Sequence, residues 1–388
     1  MPLHYLKRNF ISPILEFIHD SRAIGIIILC CTVISLIITN TSVGDTYLSV
    51  ITTPVHAGHF LPHSLLHWIN DGLMTLFFLL AGMEIKRELL NGELSTLKKS
   101  LLPVMGALGG MLIPALIFMV FNSGSATAPG WGIPMATDIA FSLGVASLLG
   151  DSVPMALKIF LTALAIIDDL GAIIAIAVFY TTALQIKFLI YGLLLYVFLL
   201  VVNKYKKGFG WWNIPGGLLL WFLIFNSGIH ATIAGVLFAF LIPANHLVIW
   251  ENRLHHSVNF IIIPIFVLAN TAIIIPASFW HDLGSTLSAG ILLGLLIGKP
   301  AGILLFCFLA IKMKWGELSD QINWKQLTGL GILASIGFTM SIFISLLAFS
   351  EQRFQDISKT AVMAASVIGI LISFIWFKWV IPEKSKSI

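Results

Sequence analysis

The chain reads as an all-α polytopic membrane protein with twelve transmembrane helices, on three observations. Of its 388 residues, 58% are hydrophobic and 10% charged, against roughly 25% charged in a soluble domain. The apolar residues gather into twelve runs, at 22–40, 69–90, 100–121, 131–150, 154–181, 184–203, 210–226, 228–243, 256–276, 287–311, 326–350 and 358–380. Most are near the ~20 residues needed to cross a bilayer as helix. Lysine and arginine also sort to one side: with the N-terminus in the cytoplasm, eighteen of the 22 lie inside and three (Lys187, Arg353, Lys359) outside, while Lys299 is within a span. That bias sets orientation, and an even span count returns the C-terminus to the same side.

Taken in order, the first run, Ala23 to Thr39, lacks a small-x-small cleavage pattern and reads as a span rather than a removed leader. The mixed stretch before it, Phe10 to Ile18, suits the membrane surface. The loop from Thr41 to His67 carries no Lys or Arg. The fourth run holds Gly130-Trp131-Gly132-Ile133-Pro134 just before Thr137-Asp138, and proline removes a donor and disfavours helix at the residue before it. Runs seven and eight are short, divided at Asn226-Ser227-Gly228. The eleventh holds Gly329, Gly331 and Gly337 ahead of Phe338-Thr339-Met340-Ser341. Interrupted helices at corresponding places in two halves point to a secondary-transporter site. By that pattern, residues 1–388 form one transporter domain, with 100–181 and 287–380 as its inverted-repeat core and the other spans as scaffold.

Four ionisable residues lie deep in these runs: Asp138, Asp168, Asp169 and Lys299. Asp168 comes ten residues after Lys158, about 15 Å along a helix and so near the bilayer centre. A carboxylate there costs roughly 2.5–3.5 kcal/mol. Neighbours on a helix point about 100° apart, so one aspartate can pair with Lys299 while the other faces a water-filled cavity. Burial and a second carboxyl both favour holding a proton, and a sodium or lithium ion takes the same oxygen lone pairs. Ion and proton then compete, which is the chemistry of an exchanger. A structural Asp168–Lys299 pair is the plainer alternative, but it leaves Asp169 and Asp138 without a role. Asp138 with Thr137 also suits a helix cap, which is compatible with ion binding.

A further group, Glu84, Lys86, Arg87, Glu88 and Glu93, ends the second span, and Glu251, Arg253, His255 and His256 precede the ninth. These fit either a titrating gate or a solvated interfacial cluster. His230 reads as a packing residue, and His56, His59, His63 and His67 as a polar loop. Cys30, Cys31 and Cys307 sit in apolar runs as small packing residues. Spread over short loops, the net charge of +4 gives no sign of nucleic-acid binding. There is no Walker A, HExxH or GxSxG pattern.

Several stretches resemble the NhaA family of bacterial sodium/proton antiporters. They are Phe77-Phe78-Leu79-Leu80-Ala81-Gly82-Met83-Glu84-Ile85-Lys86-Arg87-Glu88, Ala136-Thr137-Asp138-Ile139-Ala140-Phe141 and Ala156-Leu157-Lys158-Ile159-Phe160-Leu161. With them go Ile166-Ile167-Asp168-Asp169-Leu170-Gly171-Ala172, Gly298-Lys299-Pro300 and Ile336-Gly337-Phe338-Thr339-Met340-Ser341-Ile342-Phe343. The resemblance implies crossed interrupted helices at spans 4 and 11, and both termini cytoplasmic in the inner membrane. It implies electrogenic export of Na+ or Li+ for more than one H+, with no cofactor. Asp169 would be the principal cation ligand with Asp168 beside it, Thr137 and Asp138 would support binding, and Lys299 would pair with an acid in the ion-free state. Glu84, Arg87, Glu88, Glu251 and His255 would belong to a cytoplasmic pH-sensing region. Partners would be membrane lipid and a second copy in a homodimer. Two departures stand out. Glu251-Asn252-Arg253-Leu254-His255 has Asn252 where the family pattern has a histidine, and the 41–67 loop is shorter than in members whose hairpin makes a dimer contact.

Other classes fit less well. A cation-coupled solute symporter needs polar side chains for an organic substrate, an intramembrane aspartyl protease needs its acids on separate spans, and a channel would be obstructed by Lys299.

Overall fold

The computed structural model describes residues 21–380 except 56–59, 93, 182–183, 206–208, 276–278 and 320, and only the backbone at 21 and 97–99. The expected surface stretch Phe10–Ile18, His56, His59 and Glu93 lie outside the described residues. Within them the chain is helical throughout, with an isolated antiparallel bridge between Pro54 and Ser64 as the nearest approach to a strand.

Helices α1 (Ser21–Thr39), α2 (Gly44–Ile51), α3 (Leu65–Asn91) and α4 (Leu97–Asn122) come first. A 3-10 segment, Ala128–Met135, then leads to α5 (Ile139–Leu148), α6 (Met155–Phe179) and α7 (Ile186–Tyr205). The short α8 (Asn213–Phe225) and α9 (Ile233–Leu241) follow. Next, α10 (Ala244–Ser257) continues through a π turn, Val258–Ile262, into α11 (Ile263–Asn270). The chain ends with α12 (Phe279–Leu283), α13 (Thr286–Lys312), α14 (Trp324–Ala334), α15 (Phe338–Ala348) and α16 (Gln352–Val380). Every expected run meets a helix. Among the described residues eight are long and apolar enough to cross a membrane, nine if α14 and α15 count as one bent span.

Large apolar side chains such as Leu116, Val120, Leu193 and Leu218 are more than half exposed, as suits faces turned toward lipid. Hydroxyls, aspartates and two lysines, Lys299 and Lys359, are buried instead. In a bilayer nothing outside the protein can satisfy polar groups, so they turn inward. Close backbone approach supports this packing. Between α4 and α13, a Cβ on Gly109 would stand 2.1 Å from the Gly302 carbonyl, and one on Gly302 equally near the Gly109 carbonyl. Only glycine fits such a crossing. Gly329 and Gly331, expected at a break, lie inside intact α14 and face Phe377 and Pro300. The break itself comes after them, at residues 335–337, and so includes Gly337.

Candidate ion site

Two interruptions meet in the protein interior. In the first, Ala136 is extended between the 3-10 segment and α5, and Asp138 caps α5 by accepting from the Phe141 amide at 2.9 Å. In the second, the axis turns by 47° between α14 and α15. A broken helix leaves carbonyls bare on one side and amides on the other. Here each break satisfies the other. The Asp138 amide donates to the Ile336 carbonyl at 2.8 Å. The hydroxyls of Thr137, Ser142 and Ser341 donate to the carbonyls of Ala334 (3.0 Å), Leu333 (2.9 Å) and Ile133 (2.8 Å). Asp138 Oδ2 accepts from the Thr339 amide at 3.0 Å and from the Thr339 hydroxyl. The cap and the cross-link are thus made by one carboxylate.

Lys299 reaches this junction from α13. It follows a π turn, Gly294–Gly298, and precedes Pro300, which has no amide to donate. Its side chain is fully buried. Nζ donates to Asp168 Oδ2 at 2.6 Å and to the Met135 carbonyl at the end of the 3-10 segment. Asp168 Oδ1 is buried with no hydrogen-bond partner among the described residues, and Thr137 neighbours that carboxylate. Asp169, one residue on, takes no part in the Lys299 bonds. It lies within electrostatic reach of Asp168, Glu84, Asp138 and Lys299. Thr137, Asp138, Asp168, Asp169 and Lys299 therefore gather in one interior region. Ionic carboxylates, carbonyls and hydroxyls are hard oxygen donors of the kind that suit small hard cations. A lone buried charge costs several kcal/mol, so a cation or proton reaching the acids competes with Lys299 for them.

The second expected group forms around Arg87. Its guanidinium bonds Glu251 Oε1 at 2.5 Å and Glu88 Oε1 at 3.2 Å. Glu251 Oε2 is buried without a hydrogen-bond partner among the described residues. Burial holds the Glu251 carboxyl above its usual range, with Arg87 opposing and Glu88 adding to the shift. His255 stands apart from these bonds and meets Asn259 one turn on at 3.0 Å. Burial, then His256 and Arg87, hold its imidazole below the ordinary range. Lys86 instead donates to the Phe240 and Ile242 carbonyls at the end of α9, where a cation meets the negative helix end.

Sequence reasoning missed the Met135 carbonyl, Thr339, Ser142 and Ser341 as parts of the junction. Thr339 and Ser341 left a signal, since hydroxyls in a span need partners; a backbone carbonyl leaves none.

Discontinuous helices that satisfy each other across a buried acid–lysine group define a secondary transporter, a multi-pass membrane protein and not an enzyme. The family model described as Na+/H+ antiporter 1 matches residues 15–377. Similar proteins include Na(+)/H(+) antiporter NhaA 2 of Flavobacterium johnsoniae, 49% identical over 371 residues, covering 93% of this chain and 91% of the relative. Others are NhaA of Cytophaga hutchinsonii, 44% identical with 95% of each chain covered, and of Dechloromonas aromatica, 45% identical over 94% of this chain and 95% of the relative. The chain belongs to the NhaA family of Na+/H+ antiporters.

Proposed function

We propose that this protein is an electrogenic antiporter of a bacterial inner membrane, expelling Na+ or Li+ in exchange for more than one H+. One observation carries the reading: Lys299 is bonded to Asp168 at the meeting of two helix breaks, with Asp169 one residue away. Asp169 is the principal cation ligand, Asp168 shares the ion, and Thr137 and Asp138 support the site from the first break. Lys299 holds Asp168 when the ion is absent and yields it when the ion binds. Each net charge moved inward then gains about 2.3 kcal/mol per 100 mV of membrane potential.

The reading extends to architecture and control. Twelve spans place both termini in the cytoplasm, with inverted repeats at 100–181 and 287–380 whose interrupted spans 4 and 11 cross at the ion. Glu84, Arg87, Glu88, Glu251 and His255 sense cytoplasmic pH, and Glu84 ties that group to Asp169 through its electrostatic reach. The chain works among membrane lipids as a homodimer and needs no cofactor.

The test is sodium-driven proton flux by the reconstituted chain, followed with a pH-sensitive dye, alone and under an imposed potassium diffusion potential. Flux with Na+ and Li+ that speeds up under an inside-negative drive for proton entry, and vanishes in Asp169→Asn, supports the reading. Flux indifferent to voltage would remove the stoichiometry, and flux surviving in Asp169→Asn would remove the ligand assignment.

A further inference from the structure

A cavity apart from the ion site lies at the helix ends opposite the Arg87–Glu251 group. Phe349 and Ser350, just past α15, line one cavity with His67 and Asp71 at the start of α3, whereas Arg87 is near the other end of α3. Arg353, a few residues further on, opens onto a separate cavity of ≈ 470 Å³ between α12, α13 and α16. That volume is within the roughly 300–1,000 Å³ of ordinary ligand sites.

Its walls are of two kinds. Ile273, Phe279, Leu283 and Ile357 form an apolar side, and beside it Ile274, Ile275 and Trp280 are 58%, 51% and 81% exposed. An exposed tryptophan among isoleucines at helix ends suits the membrane–water interface. The polar side offers charge, because its hydroxyls are already committed. Ser288 donates to the Asp282 carbonyl at 2.7 Å, and Thr360 to the Asp356 carbonyl at 2.8 Å. Asp282, Asp356 and Arg353 supply the charged lining. Asp356 accepts from Gln352 at 2.9 Å and lies within electrostatic reach of buried Lys359. Arg353 is exposed and forms no ion pair among the described residues. Two carboxylates and two cations thus leave this corner without net charge while presenting both signs.

We propose that this cavity binds the headgroup of a zwitterionic phospholipid, phosphatidylethanolamine. The phosphate sits on Arg353, the ammonium between Asp282 and Asp356, and the chain-bearing end along the apolar wall. This gives one site to a chain read above as working among membrane lipids, and it rests on that reading. Guanidinium matches phosphate with a fork of donors. A primary ammonium brings three N–H donors, as lysine does, and two carboxylates await them. Choline has no N–H and is recognised by cages of aromatic rings, whereas Phe279 is the one aromatic among the residues lining this cavity. Phosphatidylglycerol brings negative charge and no ammonium, which leaves both carboxylates facing an anion. A soluble zwitterion has no use for the apolar wall. The bound lipid joins the segment after α11 to α16 and to α13, the helix that carries Lys299.

The experiment strips the purified full chain of lipid in detergent and titrates it with short-chain phosphatidylethanolamine, phosphatidylcholine and phosphatidylglycerol. Bound lipid is read by native mass spectrometry and protection by thermal unfolding. The wild type should bind phosphatidylethanolamine about tenfold or more tighter than the other two. Arg353→Gln should weaken it by about tenfold or more, the loss expected for charge-assisted hydrogen bonds. Asp282→Asn and Asp356→Asn should each bring phosphatidylethanolamine toward the affinity of phosphatidylcholine and leave the latter unchanged, which a loss of packing would not do. If Asp356→Asn fails to fold because Lys359 is left alone, Asp282→Asn carries the same prediction. Phosphoethanolamine without chains should compete poorly; competition as strong as the lipid's would identify a soluble ligand and overturn the lipid. Equal binding of the three lipids, or an Arg353→Gln variant with the wild-type preference, would overturn the site and leave the wider lipid reading standing. Protection by none of them would overturn both.

Discussion

Lys299–Asp168 and Arg87–Glu251 are contacts of nearly equal length, 2.6 and 2.5 Å, in unlike surroundings. The first pair is 0% and 1% exposed, whereas Arg87 is 36% exposed and Glu251 9%. A fully buried pair must stay neutral as a unit, so anything that alters one member forces a change in the other. A pair with one member at the surface is partly screened and can shift by degrees. The contrast suits the proposed roles, switching chemistry in the interior and graded response at the helix end.

The harshest way to break that contrast is to unpair the interior. Lys299→Ala should lower stability by about 3–5 kcal/mol, the usual consequence of leaving a buried charge unmatched, and Asp168→Ala should do the same. Thermal unfolding in detergent measures both. Replacing the pair together, as Asp168→Leu with Lys299→Met, should recover most of the stability and none of the exchange. If the double variant is as unstable as the single ones, packing rather than pairing explains the loss.

Next comes the cross-link between breaks. Thr339→Val removes a hydroxyl donor from a buried carboxylate and should cost about 1.5–3 kcal/mol, the range for hydrogen bonds to charged groups. Ser142→Ala removes a neutral bond to the Leu333 carbonyl and should cost about 0.5–1.5 kcal/mol. Equal losses would mean that Asp138 is uncharged in the resting protein.

At the helix end, stability effects should be small and pH effects visible. Arg87→Ala should change stability by about 1 kcal/mol, because Arg87 is part-exposed and the Glu251 carboxyl, already held above its usual range, can take up a proton when left alone. The signs then follow from the two shifted groups. Glu251 is held above its usual range, so its contribution is present at low pH and is lost as pH rises through its raised value. His255 is held below the ordinary imidazole range, so its contribution is present above about 6.5 and is lost as pH falls through its lowered value. Unfolding scanned across pH should show Glu251→Gln flattening the first slope and His255→Gln the second. Interchanged slopes would contradict the environments described.

Much of this was legible in the sequence. Hydropathy placed a helix at every expected run, since the apolar faces that meet lipid are also those that define the runs. Asp168, Asp169 and Lys299 were legible because charge deep in an apolar run has few structural explanations. What the sequence concealed was partnership. That Lys299 bonds the Met135 carbonyl depends on backbone exposed by a break, which no side chain records. His67 and His230 are 163 residues apart, and each alone suggests a polar loop or a packing contact; in the fold both meet the Asp71 carboxylate, at 2.6 and 3.2 Å. The interruption of span 11 was read from three glycines, two of which serve helix packing instead.

If a cation and protons compete for the same carboxylates beside Lys299, calorimetric titration of the purified protein with Na+ and Li+ at a series of pH values, in buffers of different ionisation enthalpy, will show it. Affinity should weaken as pH falls, and the heat should follow the buffer, because ion binding releases protons; Asp169→Asn should bind neither ion. An affinity independent of pH, with no protons released, would contradict it.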